Sequence, residues 1–259
     1  MYLLRSTLTA ITLSILFLAT AKAQVSRYFS PSDEIIFSWG NLALTNSYKL
    51  ENPKAEITGH PVRFTCFLHA GRNYNIDLNK HLGFFSGLGL RNVGVITNEI
   101  LPVVEGSTEY FDVKIVRRTY SLGVPLAIKA GMLEKESFFY AGGEIEWAFA
   151  YKEKFWESHN RKGTKHKYSE FTGNQVKPFL PSVMVGFQFK NGANLKFKYY
   201  LTDFLNHNYK GRSFGTKKVV SDLTRYKESR MLYIALSWPF DPKEITKKEE
   251  KSEFASFVK

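Results

Sequence analysis

The chain has 259 residues, a formal net charge of +12 and a single cysteine. Its length suffices for one domain with a full core or for two small ones, and 44 % hydrophobic with 15 % aromatic residues excludes wholesale disorder. One cysteine excludes an intramolecular disulfide scaffold and a zinc site built from several cysteines.

The first residues have the composition of a secretory signal peptide. Arg5 provides a short positive segment, residues 6–19 are mostly apolar, and Ala21-Lys22-Ala23 matches a small-x-small cleavage site. We therefore predict that cleavage after Ala23 leaves Gln24 as the first mature residue. The alternative, a helical membrane anchor, is disfavoured because the apolar stretch is shorter than the roughly 20 residues that a spanning helix needs.

From residue 34 onward, apolar residues recur with a period of two, which is typical of β-strands. Near the end of the chain, for example, Leu232, Ile234, Leu236 and Trp238 alternate with small or polar residues. The pattern predicts eight strands, with approximate spans 34–44, 62–73, 81–97, 113–130, 136–152, 177–190, 193–204 and 229–240.

The connections between these strands alternate in length. The long connections are residues 45–61, 98–112, 153–176 and 205–228, and the short ones are residues 74–80, 131–135 and 191–192. Asn191-Gly192 is a strong two-residue hairpin signal. This alternation is typical of an up-and-down outer-membrane barrel, and an even strand count puts both termini on the periplasmic side, where the turns are short.

The chemistry of the two strand faces favours a membrane barrel over a soluble one. One face carries bulky side chains such as Phe187, Phe197 and Trp238, whereas the other mixes small residues with lysine and glutamate. An outer-membrane barrel points its apolar face toward lipid, and a soluble barrel points it inward. Aromatic residues near the strand ends are predicted to form interfacial girdles: Trp39, Trp147, Phe149, Tyr151, Trp238 and Phe240. A soluble, secreted or periplasmic, lipocalin-like ligand-binding barrel remains the alternative.

Three segments resemble the outer-membrane β-barrel family of Bacteroidetes: TYSLGVPLAIKAGMLEKESFFYAGGEIEWAFAYKEK, VMVGFQFKNGANLKFKYYLTDF and RMLYIALSWPF. In that family a strand ends in a Val-Pro-Leu-like element, and a short turn and a Gly-rich aromatic strand follow. The similar segments fall within residues 119–240. The resemblance implies a porin-like protein of a Gram-negative outer membrane, inserted there by the barrel-insertion machinery.

Eight charged or titratable side chains are predicted to point into the barrel lumen: Arg63, His69, Arg91, Lys129, Glu144, Glu146, Lys196 and Lys198. An eight-stranded barrel is just wide enough for its side chains to fill. We therefore predict a structural network in which Glu144 and Glu146 are neutralised by Arg91, Lys196 or Lys198. Because five basic residues face two acidic ones in this set, a narrow anion-preferring pore is the alternative.

Charged residues also gather in the predicted outer loops. The loop 98–112 is acidic and includes Glu99 and Glu109, and the loop 205–228 is basic, with Lys210, Arg212, Lys217, Lys218, Arg225 and Lys227. Basic outer loops suit the phosphates of lipopolysaccharide, so lipopolysaccharide and outer-membrane lipid are the predicted partners. The alternative is that these charges only keep the loops soluble. Nucleic acid is not a predicted partner of an exported chain whose charge is spread over loops.

No catalytic residue, cofactor or metal site is predicted. The sequence lacks G-x-S-x-G, H-E-x-x-H and Gly-rich phosphate-binding motifs. His159 and His166 lie in the loop 153–176 without a third metal ligand. An enzyme at the outer rim that uses these histidines on lipid A or peptides is the alternative. Cys66 is predicted to face lipid as a small apolar residue.

The sequence as a whole predicts a signal peptide at 1–23, an all-β domain at 24–240 and a charged periplasmic tail at 241–259. The domain is expected to be a single antiparallel up-and-down transmembrane β-barrel of about eight strands. We predict a non-enzymatic protein of the cell outer membrane, porin-like or with a structural or surface role, with a narrow charged lumen and both termini periplasmic.

Overall fold

The computed structural model describes residues 25–103, 107–158, 160–161, 163–211, 213–214, 219–220 and 222–238. The predicted signal peptide at 1–23 and the predicted tail at 241–259 lie outside these residues, as do His159 and Phe240. None of the helices in the described ranges combines the length and the apolar composition that crossing a membrane requires.

Strands dominate the described chain, as the period-two pattern predicts. In chain order they are β1 (Ser26–Pro31), β2 (Ile35–Leu44), β3 (Glu56–Gly59), β4 (Arg63–Thr65), β5 (Ala70–Asp77), β6 (Leu82–Pro102), β7 (Tyr110–Met132), β8 (Ser137–Trp156), β9 (Lys165–Phe171), β10 (Phe179–Gln188), β11 (Asn194–Tyr200), β12 (Ser213–Phe214), β13 (Val219–Val220) and β14 (Tyr226–Ser237). A short helix, α1 (Asn46–Glu51), follows Thr45, whose side chain accepts a hydrogen bond from the Tyr48 N–H.

Twelve strands form one antiparallel sheet, and the predicted all-β antiparallel class is confirmed. The hydrogen-bonded order is β1-β5-β6-β7-β8-β10-β11-β14-β2-β4, with β3 paired to β6 and β9 paired to β8. β12 and β13 form a separate pair.

The strand count differs from the predicted eight mainly in the first part of the chain. β1 is an additional strand before the predicted strand 34–44, which corresponds to β2, and β3 lies in the predicted connection 45–61. The predicted strand 62–73 is divided into β4 and the first residues of β5. Leu68 has φ 59°, a left-handed conformation that strands exclude, and it separates β4 from β5. β9 is a further strand, formed where residues predicted as loop pair with the end of β8.

Bulky apolar side chains point outward from a band of the sheet that we call the apolar belt. On β7, Val124 is 51 % exposed and Leu126 and Ile128 are each 64 % exposed. The belt continues on β8, β10 and β11 with Phe139, Ile145, Trp147, Phe179, Val183, Val185, Phe197 and Tyr199. Cys66 is also exposed, next to outward-facing Phe64 and Phe67.

Three strands extend far beyond this belt. β6, β7 and β8 have 21, 23 and 20 residues, whereas crossing a membrane takes about 9–11 residues of a tilted strand. Leu122 of β7 pairs with Trp147 of β8, so these two residues lie at the same height in the sheet. We call the part of β6, β7, β8 and β9 that lies beyond this pair the outer extension.

A β-bulge reverses the two faces of β8 at the start of the outer extension. Ser121 pairs with Ala148 and Tyr120 with Ala150, so Phe149 is an extra residue on β8. Tyr151 consequently points inward and is 2 % exposed. The prediction that Tyr151 belongs to an outward aromatic girdle is therefore wrong.

The short turns lie together at the opposite edge of the sheet. Gly192 has φ 79°, and the Phe189 N–H donates to the Ala193 carbonyl at 2.8 Å, so the turn at Asn191-Gly192 is slightly longer than predicted. The first and last strands of the described chain also reach this edge, where Ser26 pairs with Asp77 and Ser237 with Asn194.

Candidate functional site

All eight residues predicted for the interior are buried, and none is more than 6 % exposed: Arg63, His69, Arg91, Lys129, Glu144, Glu146, Lys196 and Lys198. The structure does not join them in one network. Five of them meet near the middle of the sheet, one lies at the short-turn edge, and two lie between β4 and β6.

The middle group, which we call the central network, is built around Lys198 of β11. Its Nζ lies 2.8 Å from Glu144 Oε2 and also donates to Glu146, and both carboxylates belong to β8. Tyr200 donates its hydroxyl to Glu146 Oε1 at 2.8 Å. Since β10 separates β8 from β11 in the sheet, these contacts run across the interior rather than along the ladder.

Glu34, which the sequence analysis did not identify, completes the central network. The Arg91 Nη2 lies 3.4 Å from Glu34 Oε1, and Lys196 donates to the same oxygen. Arg91 Nε is also 3.9 Å from Glu144 Oε1. The sequence could have identified Glu34 as an interior residue. Alternation places Glu34 and Ser38 on the same face of the chain, and Ser38 is also buried.

The central network is electrically balanced. Three carboxylates, of Glu34, Glu144 and Glu146, face three cations, of Arg91, Lys196 and Lys198. Within this network, the predicted excess of basic residues disappears because Glu34 adds a third carboxylate. A buried network of this kind is stable only when its charges are paired, because an uncompensated buried charge is very costly.

Lys129 belongs to a separate pair at the short-turn edge. Its Nζ lies 2.5 Å from Asp77 Oδ1 and donates to Asn75 Oδ1 and to the Tyr28 hydroxyl, both at 2.9 Å. Asp77 was predicted to lie in a turn, but it ends β5 and is buried. Here too, one acid neutralises one base.

Arg63 and His69 join chain segments that no strand ladder connects. Arg63 donates to the Asn92 carbonyl at 2.9 Å and to Asn92 Oδ1 at 2.7 Å. The Asn92 N–H points at His69 Nδ1 at 3.3 Å, so the ring proton lies on Nε2 and donates to Thr65 Oγ1. These bonds hold β4 and the start of β5 to the middle of β6.

A second buried charge network, the outer cluster, lies inside the outer extension. It consists of Glu99, Arg117, Glu153, Arg225 and Tyr226. Arg117 Nη1 lies 3.2 Å from Glu99 Oε1, and Arg117 Nε lies 3.5 Å from Glu153 Oε2. Tyr226 donates to Glu99 at 2.7 Å and accepts from both arginines. Two acids again face two bases.

The outer cluster corrects two predictions about loops. Arg225 was assigned to a basic loop on the surface, but it is 5 % exposed and its Nη2 lies 3.3 Å from Glu99 Oε2. Glu99 was assigned to an acidic loop, but it is a residue of β6 with 0 % exposure. Burial raises the pKa of the Glu99 carboxyl, but the opposing charges of Arg117 and Arg225 outweigh it and hold that pKa below its usual range.

The remaining residues of the predicted basic loop divide into two groups. Lys210 and Lys227 are exposed. Arg212, Lys217 and Lys218 lie outside the described residues.

Large apolar and aromatic side chains fill the space between the two networks. They include Ile36, Val93, Phe204 and Tyr233, which are 0 % exposed. A second cluster, with Phe85, Phe138, Tyr140 and Met184, packs near the short-turn edge. A cavity of about 440 Å³ lies elsewhere, between outward-facing residues such as Trp39, Tyr199, Arg230 and Leu232.

Besides His69, two histidines of the described chain contact a carboxylate or a hydroxyl group. His166 Nε2 lies 3.2 Å from Glu157 Oε1. His207 Nε2 lies 2.9 Å from the Ser229 hydroxyl, and burial lowers the pKa of His207, so its ring is neutral at pH 7. Within the described ranges, no three His, Cys, Asp or Glu side chains come together as metal ligands.

The hydrogen bonds of the His207–Ser229 pair indicate a structural role and not a catalytic one. Ser229 is 0 % exposed, and its hydroxyl already accepts the Leu205 N–H at 3.0 Å. Asp203 accepts the Ser229 N–H at 2.8 Å instead of orienting the His207 ring by a hydrogen bond. A nucleophile must be reachable by its substrate, and this hydroxyl is not.

A scan against protein-family models finds no match to this chain, and a search of the curated proteins finds no related sequence.

Proposed function

We propose that this chain is a β-barrel of a Gram-negative outer membrane with a structural or surface role and no enzymatic activity. The observation that carries the proposal is the sidedness of the sheet. Its outward face carries the exposed apolar belt, while its inward face carries the paired charges of the central network. In water, the apolar belt would be a large exposed apolar surface, which soluble monomers avoid. In a bilayer, it is the expected outer face of a barrel.

Eight strands closed into a ring fit the observed pairings. β1 and β2 would act as one strand and β3, β4 and β5 as the next, followed by β6, β7, β8, β10, β11 and β14. β2 pairs with β14 on one side and with β4 on the other, while β1 pairs with β5. The two ends of the hydrogen-bonded order are β1 and β4. Along the chain β1 leads into β2, which pairs with β4, and β4 leads into β5, which pairs with β1. Arg63 and His69 contact Asn92 of β6 and so connect β4 and β6, which no ladder joins.

The filled interior supports a structural role over a pore. Lys198, Tyr200 and Tyr233 meet across the inside of the sheet and are at most 2 % exposed, and the charge networks are balanced. An anion-preferring pore would need a hydrated path lined by surplus cations. An enzyme at the outer rim has less support, because the Ser229 hydroxyl beside His207 is buried and the polar partner of the His166 ring is the Glu157 carboxylate, which is not a nucleophile–base arrangement.

The remaining parts of the proposal follow from the sequence. The segment 1–23 directs export, the barrel-insertion machinery places the domain in the membrane, and both termini are periplasmic. The porin-like family of Bacteroidetes that residues 119–240 resemble is the proposed family. Outer-membrane lipid and lipopolysaccharide are the proposed partners.

Heat-modifiability of the washed outer-membrane fraction tests the proposal. Closed barrels resist detergent until they are boiled, so the unheated sample is expected to migrate faster than the boiled one on a gel. A soluble chain with a single unshifted band would overturn the membrane assignment and favour the soluble ligand-binding barrel.

A further inference from the structure

We propose that the outward face of the outer extension binds the phosphorylated headgroup of lipopolysaccharide through a basic patch of six residues: Lys114, Arg118, Lys152, Lys154, Lys165 and Lys167. This inference rests on the proposed outer-membrane location. It assigns the phosphate contacts to the paired strands β7, β8 and β9 and not to the predicted basic loop 205–228.

The strand register places these six side chains on one face. Lys114 pairs with Trp156, Val116 with Lys154 and Arg118 with Lys152. Trp156 pairs in turn with Lys165, and Lys154 with Lys167. Directly opposite residues of an antiparallel ladder share a face, so three neighbouring strands present cations side by side.

The bulge at Phe149 creates this arrangement. Below the bulge, odd-numbered residues of β8 such as Ile145 and Trp147 point outward; above it, Lys152 and Lys154 do. β7 has no such change, and Arg118 continues the outward row of Val124, Leu126 and Ile128. The patch is therefore the direct continuation of the apolar belt.

The patch lacks neutralising acids among the described residues. Among the described residues, no carboxylate oxygen lies within 4.0 Å of a side-chain nitrogen of these six cations. Burial and the neighbouring positive charges, Arg118 first among them, lower the pKa of the Lys154 ammonium. The patch thus differs from the central network and the outer cluster, in which each cation is paired with a carboxylate. Asp112 is on the same face but lies beyond Lys114, at the outer margin.

Aromatic rings hold several of these cations in place. Arg118 and Lys152 lie over the Tyr120 ring, at 5.7 and 5.4 Å from its centroid. Lys165 lies over the Trp156 ring at 5.2 Å. Cation–π contacts of this kind restrict long side chains before a ligand arrives, which lowers the entropy cost of binding.

The height of the patch identifies the occupant. Arg118 lies four residues beyond Leu122, the level of Trp147, which is about 13 Å along the strand and roughly 10 Å along the membrane normal at a tilt of about 40°. A glycolipid whose acyl chains contact the apolar belt carries its phosphorylated sugars at this height. Phosphate groups and closely spaced Lys and Arg side chains form charge-assisted hydrogen bonds.

The test uses the full-length protein folded in detergent micelles and purified short-core lipopolysaccharide, intact or dephosphorylated. The patch variant is Arg118→Gln/Lys152→Gln/Lys154→Gln. The matched variant is Lys49→Gln/Lys210→Gln/Lys227→Gln, which removes the same charge from exposed residues outside the patch. Each variant is first checked for heat-modifiable migration, so that failure of the barrel itself is recognised separately.

We expect the wild-type protein to bind intact lipopolysaccharide more tightly than the dephosphorylated form. The patch variant should bind about tenfold more weakly, and the matched variant should bind like the wild type. Equal affinities for the two lipopolysaccharide forms, an unchanged patch variant, or a loss confined to the matched variant would each overturn the proposal. So would binding of heparin at the patch without binding of lipopolysaccharide.

Discussion

Glu99 and Arg225 are separated by 126 positions in the chain, yet Arg225 Nη2 lies 3.3 Å from Glu99 Oε2 inside the outer extension. β6 contributes the acid, and the residue just before β14 contributes the base. Tyr226 donates its hydroxyl to Glu99 as well, at 2.7 Å. One buried carboxylate therefore fastens the last strand of the sheet to the interior of the extension.

Replacing Glu99 should destabilise the fold strongly. Glu99→Gln leaves Arg117 and Arg225 buried with Glu153 as the remaining acid of the outer cluster, and removing one partner of a buried ion pair costs about 3–5 kcal/mol. The midpoint of urea unfolding in detergent, followed by the heat-modifiable gel shift, measures the change. Glu109→Gln makes the same chemical change at an exposed position of the same hairpin and should leave the midpoint unchanged. Equal midpoints for the two variants would contradict the role of Glu99.

The contribution of Glu99 should depend on pH. Its folded-state pKa is lowered because the charges of Arg117 and Arg225 outweigh burial. A group with a depressed folded pKa contributes stability above its unfolded pKa of about 4.3, and that contribution is lost as the pH falls through the folded pKa. The difference in unfolding midpoint between the wild type and Glu99→Gln should therefore be constant from pH 7 to 5 and should shrink toward pH 3. A difference that stays the same at pH 3 would refute this.

The folded protein should not conduct ions in a planar lipid bilayer. Arg91, Lys198 and Tyr233 are at most 2 % exposed, so the interior offers no hydrated path comparable to that of a large porin. We expect no discrete conductance steps from heat-modifiable protein. Anion-selective steps whose selectivity reverses in Lys196→Glu/Lys198→Glu would instead establish the pore alternative.

The sequence predicted the interior residues well where the strands are regular. Period-two alternation identified Arg91, Glu144, Glu146, Lys196 and Lys198 because no bulge interrupts the stretches that carry them. The same alternation puts Arg117 in phase with Lys129, so Arg117 could also have been found.

The missed features depend on long-range pairing that no local pattern reports. Phe149 shifts the phase of β8 by one residue, so Tyr151 was placed on the wrong face. Glu99 and Arg225 were assigned to loops because the alternation placed the nearest strands at 81–97 and 229–240. β6 and β7 instead continue by pairing with each other as far as Pro102 and Tyr110, which supplies each with hydrogen bonds that a lone strand would lack.

The close contact between β7 and β8 should make Gly142 intolerant of a side chain while its neighbour Gly143 tolerates one. A Cβ at Gly142 would lie 2.1 Å from the Leu126 carbonyl oxygen and 2.5 Å from Ala127 Cα, both backbone atoms that cannot move independently. At Gly143 the nearest atom would be the Ser182 carbonyl oxygen at 3.3 Å. Gly142→Ala should therefore cost about 1–3 kcal/mol and Gly143→Ala less than about 0.5 kcal/mol. Urea unfolding in detergent compares the two. Equal losses would mean that β7 and β8 can separate at this point, which would weaken the pairing on which the closed ring depends.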